Sequence, residues 1–220
     1  MMSADRVRRL REWQDRAYEG DKREGPVTVP HLGLTIVVPP DVYLPNPLGL
    51  ADLVLREVRD GDRVLDMGTG SGINALVAAT RSSDVVAVDV NPSAVRAAAD
   101  NAERNHLASR IDVRASDLFQ TVAGTFDVIL FDPPFRWFQP RDMRERATAD
   151  EDYRTLTAFF RQVRNYMTRG ARILLSFGTT GDIDYLRQLI EKCRFTREEL
   201  RRVDGEKDGL AVSYFVYRLT

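Results

Sequence analysis

Short apolar runs alternate with helical stripes from residue 63 onward, and this alternation constrains the fold of the 220-residue chain most strongly. The runs have the length and β-branched content of buried strands; they are VLDM, VVAVD, IDVRA, FDVILFD, ARILLSF and AVSYFVYRL. Successive parallel strands need a crossover, usually a helix, and most segments between these runs have helical periodicity. The pattern predicts an α/β fold with helices on both faces of a doubly wound, mostly parallel sheet.

Two helix starts are marked in this region. Asn91 is a preferred N-cap residue and Pro92 a preferred first-turn residue, so we expect a helix to begin there. Thr148 and Glu151 have the spacing of a capping box, which predicts a helix whose apolar stripe ends at Met167.

The first strand runs into a loop with three glycines at alternate positions, Gly68, Gly70 and Gly72, and then into a helix. Glycine lets a backbone approach a ligand closely, and a helix start offers unpaired N–H groups, so the loop predicts a binding site for a polar group. The residue three positions after Gly70 is Ile73, where the dinucleotide fingerprint has glycine, and the sequence lacks the Gly-Lys-Ser/Thr of a P-loop. Neither phosphate-binding motif fits.

Acidic residues follow three successive strands. Asp66 precedes the glycine loop, where its charge disfavours a phosphate and favours a cationic or amine-bearing ligand. Asp89 ends the second strand, 21 residues after Gly68, and is placed to accept hydrogen bonds from two ribose hydroxyls. Asp117 follows the third strand and offers an acceptor to an adenine amine. A ribose with a cationic group indicates a sulfonium nucleoside; the alternative is that each acid is only a turn residue.

Together these segments resemble the class I S-adenosylmethionine-dependent methyltransferases. The resemblance is carried by DMGTGSG at 66–72, VDVNPSAV at 88–95, SDLF at 116–119 and FDPPF at 131–135, and it spans residues 42–220. It implies S-adenosyl-L-methionine as the cofactor and a Rossmann-like methyltransferase sheet of seven strands with the last strand antiparallel. The strand missing from the apolar runs is then expected within residues 195–205.

The resemblance also implies a role for each residue of the cofactor site. Asp66 is expected near the methionine amino group, and the loop of Gly68, Thr69, Gly70 and Gly72 beneath the cofactor. Asp89 and Val90 are expected at the ribose, and Asp117 and Leu118 at the adenine.

The motif Asp132-Pro133-Pro134-Phe135 follows the fourth strand. Prolines lack N–H groups and keep the chain extended, so their carbonyl oxygens are fixed hydrogen-bond acceptors. An amide or exocyclic amine can donate its hydrogens to the Asp132 carboxylate and the Pro133 carbonyl while Phe135 covers its π face. Holding these hydrogens in one plane directs the delocalised lone pair of the nitrogen toward the methyl donor. The motif therefore predicts the catalytic site for a planar nitrogen; a Pro-rich turn is the alternative.

The first 62 residues have a different character. Apolar residues spaced three or four apart predict an amphipathic helix, and two β-rich runs on either side of His31-Leu32-Gly33 predict a hairpin. We expect an N-terminal helix in residues 1–24, a β-hairpin and cofactor lead-in in 25–48, and the methyltransferase catalytic domain in 49–220. Residues 42–45 resemble the segment that closes over the cofactor, whereas 46–49 lack the acidic-Thr pair of the family.

Different features of the sequence point to different classes of substrate. The Asn/Asp-Pro-Pro-aromatic signature belongs to amino-methyltransferases, and the glycine loop after a hairpin is most similar to the HemK-type protein-glutamine N5 enzymes. Those enzymes have Asn where this chain has Asp132, and the bacterial ones carry a helical recognition domain of which only a helix at 3–20 could remain. Asp is shared with enzymes that act on adenine N6 or guanine N2.

We therefore favour a protein glutamine, in a partner such as a translation factor, and keep three alternatives. They are a ribosomal or transfer RNA base, a small-molecule amine and, least favoured, a subunit that binds the cofactor without catalysis. Four arginines with Trp137 and Phe138 follow the motif in residues 136–146, named here the lip. The lip is suited to stack a base and contact phosphate, or to clasp a peptide; a solvated charged loop is the alternative.

Charge and composition exclude other classes of partner. The chain has 32 basic and 33 acidic residues, and without a global basic field DNA is disfavoured. The single Cys193 excludes an internal disulfide and indicates a reducing, cytoplasmic compartment. His31 and His106 are isolated, so we expect no metal site. The sequence has neither a run of about 18 apolar residues nor an apolar signal-peptide core at residues 1–13, so we expect no membrane contact.

Overall fold

The computed structural model describes residues 4–20, 22–45, 49–207 and 210–220. Its helices are α1 (Ala4–Gly20), α2 (Ala51–Glu57), α3 (Ile73–Ala79), α4 (Pro92–Arg104), α5 (Arg154–Gln162) and α6 (Ile183–Lys192). Its strands are β1 (Val27–His31), β2 (Leu34–Val38), β3 (Arg63–Met67), β4 (Asp84–Asp89), β5 (Ile111–Ala115), β6 (Phe126–Phe131), β7 (Met167–Gly178), β8 (Arg197–Lys207) and β9 (Leu210–Leu219). Asn46, Pro47 and Leu48 of the expected lead-in, and with them the boundary predicted at 48/49, lie outside the described residues.

Strands β3 to β9 form one seven-stranded sheet in the order β5-β4-β3-β6-β7-β9-β8. The pairs from β5 to β7 are parallel, and β9 is antiparallel to both β7 and β8. The predicted fold class is confirmed, and β8 supplies the strand expected within residues 195–205. The strand order changes direction between β3 and β6, and in sheets of this kind ligands bind at the carboxyl ends of the strands beside such a switch point.

Side chains of the central strands alternate between two cores. In β3, Val64 packs with residues of the β1–β2 hairpin and α2 to α4, whereas Leu65 packs with residues of α5 and α6. Because both faces of each central strand are buried, these strands form the continuous apolar runs of the sequence. Among the residues described, no helix is both long and apolar enough to span a membrane.

The start of α4 agrees with the sequence. The Oδ1 atom of Asn91 accepts a hydrogen bond from the Ser93 N–H at 2.9 Å, and Pro92 is the first helical residue. This cap fixes the turn between β4, which carries Asp89 at its end, and the helix that follows.

The capping box predicted at Thr148 is wrong. The carboxylate of Asp150 instead accepts hydrogen bonds from two N–H groups in the first turn of α5, at 2.9 and 3.0 Å. Asp152 and Tyr153 have left-handed backbone, with φ of 52° and 56°, so the chain turns immediately before the helix. Met167, the expected end of the apolar stripe, is the first residue of β7.

Two asparagines on α4 attach the hairpin to the main sheet. Asn101 exchanges hydrogen bonds of 2.9 Å with the backbone N–H and C=O of Val37, and Asn105 does the same with Thr35. Residues four apart on a helix rise about 6 Å, close to the spacing of alternate residues on a strand. The two amides thus pair with β2 much as a neighbouring strand would. Asn101 also donates to the Ser71 carbonyl at 2.9 Å, which ties the hairpin to the glycine loop.

Candidate active site

A cleft lies at the carboxyl ends of β3, β4, β6 and β7, beside the switch point of the sheet. Its lining includes most residues expected at the cofactor and the whole proline motif, namely Gly68, Thr69, Gly70, Asp89, Val90, Asp117, Leu118, Asp132, Pro133, Pro134 and Phe135. Val42, Tyr43 and Pro45 of the lead-in also line it. Asp66 and Gly72 are not part of this lining. Residues far apart in sequence therefore meet at one edge of the sheet.

The glycine loop folds back against β4 and α4. The N–H groups of Gly68 and Thr69 both donate to the Val88 carbonyl at 2.9 Å. Gly72 has a φ of +86°, and a Cβ there would lie 3.1 Å from both the Cα and the Cβ of Ala98. Gly72 therefore lets the loop pack closely against α4, which accounts for this glycine without a ligand.

Asp66 lies behind the glycine loop and is 1% exposed. Its Oδ2 atom accepts hydrogen bonds from the Thr69 hydroxyl at 2.6 Å and the Ala75 N–H at 3.1 Å, while the buried Oδ1 atom has no hydrogen-bond partner among the described residues. Burial raises the pKa of this carboxyl to about 7, although the two hydrogen bonds oppose the rise. A positive charge close by would favour the ionised form.

Asp89 holds two backbone segments at the end of β4. Its Oδ2 atom accepts a hydrogen bond from the Gly70 N–H at 2.9 Å, and its Oδ1 atom accepts one from the Asn91 N–H at 2.8 Å. Burial raises the pKa of the carboxyl, and these hydrogen bonds act in the opposite direction. Each carboxylate oxygen can accept a second hydrogen bond, so Asp89 can also take two hydroxyl donors from a ligand.

Asp117 and Leu118 form the wall of the cleft beyond β5. Leu118 has a left-handed backbone, with φ of 50°, and its carbonyl accepts a hydrogen bond from the Ser116 hydroxyl at 2.7 Å. Asp117 forms an ion pair of 3.3 Å with Arg146, another residue that lines the cleft. Both side chains are well exposed, so the pair contributes little to stability. It does place a guanidinium group from the lip beside the expected adenine position.

Asp132 extends the line of β6 into the cleft. The Asp132 side chain is exposed to the cleft, and protein atoms surround it on its other sides. Burial raises the pKa of the carboxyl to about 6, and the neighbouring Ser176 hydroxyl opposes the rise. Asp132 therefore carries a negative charge at neutral pH and can accept hydrogen bonds from an N–H donor in the cleft.

Phe135 and Tyr214 form two aromatic walls of the cleft. Their ring centroids are 6.4 Å apart at an interplanar angle of 68°, and a Cβ on Gly178 would lie 3.0 to 3.1 Å from both rings. The Phe135 carbonyl accepts a hydrogen bond from the Tyr153 hydroxyl at 3.0 Å, and that hydroxyl accepts one from the Asp182 N–H at 2.6 Å. These contacts fix the Phe135 ring beside Asp132.

Helix α1 packs against the lip and orders it. The Arg136 guanidinium donates a hydrogen bond to the side-chain Oε1 atom of Gln14 and lies 4.5 Å from the ring centroid of Trp13. Gln14 donates to Glu145 at 2.7 Å, and Arg141 binds both oxygens of that carboxylate at 2.7 and 2.9 Å. Arg136 and Glu145 are buried. Part of the lip is therefore packed against α1, with Arg136 and Glu145 bound within the protein, whereas residues 141–143 are exposed.

The model of the methyltransferase small domain family matches residues 48–199, more than two thirds of the chain. The chain belongs to this family. It is thus an S-adenosylmethionine-dependent methyltransferase, as the resemblance implied.

Two curated relatives of this methyltransferase differ in how much of their length it covers. A protein of Methanocaldococcus jannaschii, provisionally named a protein N5-glutamine methyltransferase, is 32% identical over 171 residues, which are 71% of this chain and 83% of that protein. A release factor glutamine methyltransferase of Cereibacter sphaeroides is 39% identical over 93 residues, which are 41% of this chain and 33% of that protein. The chain also spans less than a third of several ribosomal protein L11 methyltransferases.

Among solved structures, the 16S rRNA N2 G1207 methyltransferase of T. thermophilus, in complex with AdoMet and guanosine, superposes with a TM-score of 0.63. The sequences are 22% identical, and the match covers 88% of this chain and 49% of that chain. At this level of identity the likeness shows a shared fold.

The residues of the cleft fit the cofactor of this methyltransferase. Behind the cleft, Asp66 has a raised pKa and a carboxyl oxygen without a hydrogen-bond partner among the described residues, and a positive charge nearby would favour its ionised form. S-adenosylmethionine carries positive charge on its sulfonium and amino groups. Asp89 retains capacity for two hydroxyl donors, as a ribose requires. Where the structure describes the chain, no group of three or more His, Cys, Asp or Glu side chains could hold a metal ion.

The sequence missed Ser176 and Tyr214, which line the cleft, and it placed Arg146 in the lip rather than at the cofactor. Ser176 could have been found, because it lies near the end of an apolar run, as Asp66 and Asp89 do. Tyr214 reaches the cleft through long-range packing of β9, for which the sequence holds no local signal.

Proposed function

We propose that this methyltransferase methylates the side-chain amide nitrogen of a glutamine in a protein, and that Asp132, Pro133, Pro134 and Phe135 hold that amide. The observation that carries the proposal is the position of Asp132, an acceptor open to the cleft at the end of β6, between the glycine loop and the Phe135 ring. The similarity to the Methanocaldococcus jannaschii protein, which covers 71% of this chain and 83% of that protein, supports the same substrate class, because that protein is provisionally named a protein N5-glutamine methyltransferase.

The cofactor residues have distinct roles in this proposal. Asp89, with Val90 beside it, holds the ribose, and Asp117 with Leu118 lies at the adenine. The loop of Gly68, Thr69 and Gly70 forms the floor of the cofactor site, and Gly72 supports that loop from behind. The Asp66 carboxylate is buried behind the loop, where its negative charge stabilises the positive charge of the bound cofactor.

The acceptor residues work by orientation. Bound S-adenosylmethionine supplies an electrophilic methyl group. The Asp132 carboxylate and the Pro133 carbonyl accept the two amide hydrogens, and the Phe135 ring covers the amide plane. This fixes the nitrogen lone pair in one direction, and orientation of this kind can lower a barrier by up to about 7–11 kcal/mol. Asp132 is also placed to accept the proton that the nitrogen loses.

The lip favours a protein over an RNA substrate. Arginine and lysine side chains bind a nucleic acid by neutralising its phosphates, which releases the counterions held by the nucleic acid. This requires side chains whose charge is not already paired within the protein. Arg141 binds both oxygens of Glu145, and Arg146 pairs with Asp117. Arg144 donates to the Tyr18 carbonyl at 3.0 Å and lies 4.1 Å from the centroid of that ring. Acidic side chains therefore offset the charge of Arg141 and Arg146, and the contacts of Arg144 hold its guanidinium against α1, which leaves fewer free cations for a nucleic acid.

The proposed partner is a cytoplasmic protein, such as a translation factor. Similarity to the release factor glutamine methyltransferase supports the partner class, and the single cysteine of the chain supports the compartment. An RNA base is the second candidate, because Asp132 stands where glutamine enzymes have Asn.

Transfer of labelled methyl groups to a cell lysate tests the proposal. The label should resist nuclease and be released by protease, and it should be lost with Asp132→Ala. Asp84→Ala, which changes an exposed carboxylate at the opposite edge of the sheet, should transfer label as the wild type does. Label released by nuclease, or found from the start in the small-molecule fraction, would refute a protein substrate.

A further inference from the structure

Ser176 is a buried hydroxyl beside the acceptor site. Phe131 and Leu175 pair in the parallel register of β6 and β7, so the residues that follow them, Asp132 and Ser176, are neighbours at the end of the sheet. Ser176 lines the cleft and is 8% exposed. It lies close enough to Asp132 to favour the ionised carboxylate, yet its Oγ atom has no well-oriented hydrogen bond in the part of the chain that the structure describes.

An unsatisfied hydroxyl of this kind calls for an explanation. Nearly all buried polar atoms in folded proteins have a hydrogen-bond partner, and an unpaired one destabilises the fold. Ser176 faces the cleft, so a ligand in the cleft can supply the missing partner.

The groups around the proposed amide site are almost all acceptors. The Asp132 carboxylate and the carbonyls of Pro133 and Pro134 can accept hydrogen bonds, but an ionised carboxylate and a proline have no hydrogen to donate. A primary amide presents two N–H donors and one carbonyl oxygen in a single plane. The N–H groups match the acceptors, whereas the carbonyl oxygen needs a donor close to them.

We propose that Ser176 is a specificity-determining residue, whose hydroxyl donates a hydrogen bond to the carbonyl oxygen of the acceptor amide. The inference rests on the proposed function and defines how the same site selects its substrate. With Ser176, the site has hydrogen-bond acceptors for the N–H groups of the amide and a donor for its carbonyl oxygen.

The chemistry of amides predicts which kinetic constant depends on Ser176. A hydrogen bond to the carbonyl oxygen strengthens amide resonance and draws electron density away from the nitrogen. It therefore cannot speed the attack of nitrogen on the methyl group, although it does hold the amide in place. Loss of the hydroxyl should weaken substrate binding and leave the maximal rate almost unchanged.

Ser176→Ala tests this inference against two other variants. Thr180→Val removes another buried hydroxyl that has no hydrogen bond among the described residues, and it lies outside the cleft lining. Tyr214→Phe removes the hydroxyl of the aromatic wall opposite Phe135. The acceptor is supplied as a dilution series of the nuclease-treated lysate protein, and formation of S-adenosylhomocysteine gives the rate.

Ser176→Ala should raise the half-saturating concentration of lysate protein about 2- to 13-fold, the range expected for one neutral hydrogen bond, with a maximal rate within about twofold of the wild type. Its melting temperature should be unchanged, because the contact between the Ser176 hydroxyl and the Asp132 carboxylate is not a well-oriented hydrogen bond. Thr180→Val should leave both kinetic constants unchanged, and Tyr214→Phe should raise the half-saturating concentration less than Ser176→Ala does.

An unchanged half-saturating concentration in Ser176→Ala, with protein still labelled, would overturn the role of Ser176 and leave the proposed function standing. So would a fall in melting temperature, which would reveal a partner inside the fold. A rise caused by Tyr214→Phe alone would assign the donor to Tyr214 instead. Label in the nuclease-sensitive fraction would overturn the proposed function itself, whatever Ser176→Ala does.

Discussion

Affinity for S-adenosylmethionine should depend on pH through Asp66. In the ligand-free protein, burial raises the pKa of this carboxyl from 3.8 to about 7, so the group is about half protonated at pH 7. A cationic cofactor nearby favours the ionised carboxylate and lowers its pKa again. Below pH 7, binding therefore requires the loss of a proton, and affinity should fall as the solution becomes more acidic.

The size of the effect follows from the pKa. With a pKa of about 7, roughly 90% of the ligand-free protein has an ionised Asp66 at pH 8 and roughly 10% at pH 6. If only the ionised form binds tightly, the Kd should rise about 10-fold from pH 8 to pH 6, equivalent to about 1.4 kcal/mol. At pH 7 each binding event should release about half a proton.

The same pKa makes the stability of the ligand-free protein depend on pH in a defined direction. Because the folded-state pKa of Asp66 lies above the ordinary value of 3.8, its contribution to stability is fully present below about pH 4 and is lost as the pH rises through 7. A bound cation offsets this loss. The cofactor should therefore stabilise the protein more at pH 8 than at pH 6.

Isothermal titration calorimetry at pH 6, 7 and 8, in two buffers of different ionisation enthalpy, measures both the Kd and the protons released. Asp66→Asn is the matched control, because it removes the titrating carboxyl. The cofactor's own amino group titrates in experiments with both proteins, so its contribution cancels in the comparison. The two proteins should differ most in affinity at pH 8 and least at pH 6. Parallel pH curves for the two proteins would refute the role given to Asp66.

Three further changes test other parts of the account. Burial raises the pKa of Asp132 to about 6, so kcat/KM of the wild type should fall about 10-fold per pH unit below pH 6. A pH–rate profile measures this acidic decrease, which should be absent from Asp132→Asn. Gly72→Ala should lower the free energy of unfolding by about 1–3 kcal/mol more than Gly61→Ala, because Gly61 has the same φ of +86° but open space around it. Urea denaturation measures both losses, and equal losses would exclude the clash with α4. Asn101→Ala should lower the free energy of unfolding by about 2–4 kcal/mol in the same assay, more than Asn105→Ala, because each side chain makes three hydrogen bonds but only that of Asn101 is fully buried; a smaller loss would mean that the hairpin docks without it.

The parallel core of the sheet could be predicted because its strands are buried on both faces. Burial produces continuous apolar runs, and the carboxyl ends of parallel strands meet at one edge, so Asp89, Asp117 and Asp132 could be expected to share a cleft. Strand β8 is different: it is an edge strand in which most residues are charged, and no apolar run marks it. Only the family resemblance predicted it.

Other features depend on contacts that local sequence patterns do not encode. The start of α5 was misplaced because Asp150, rather than Thr148, caps the helix after a left-handed turn. The burial of Arg136 depends on Trp13 and Gln14, more than 120 residues earlier in the chain. The lip therefore could not be distinguished from a solvated loop until α1 was seen to pack against it.

The central claim is that the Asp132 site methylates a planar amide nitrogen. Tandem mass spectrometry of the protein labelled in the lysate identifies the modified residue and the modified atom. We expect N5-methylglutamine in the protein labelled by the wild type and none in the protein incubated with Asp132→Ala. Methylation of a lysine, an arginine or a carboxylate, or methyl groups found only on a nucleobase, would contradict it.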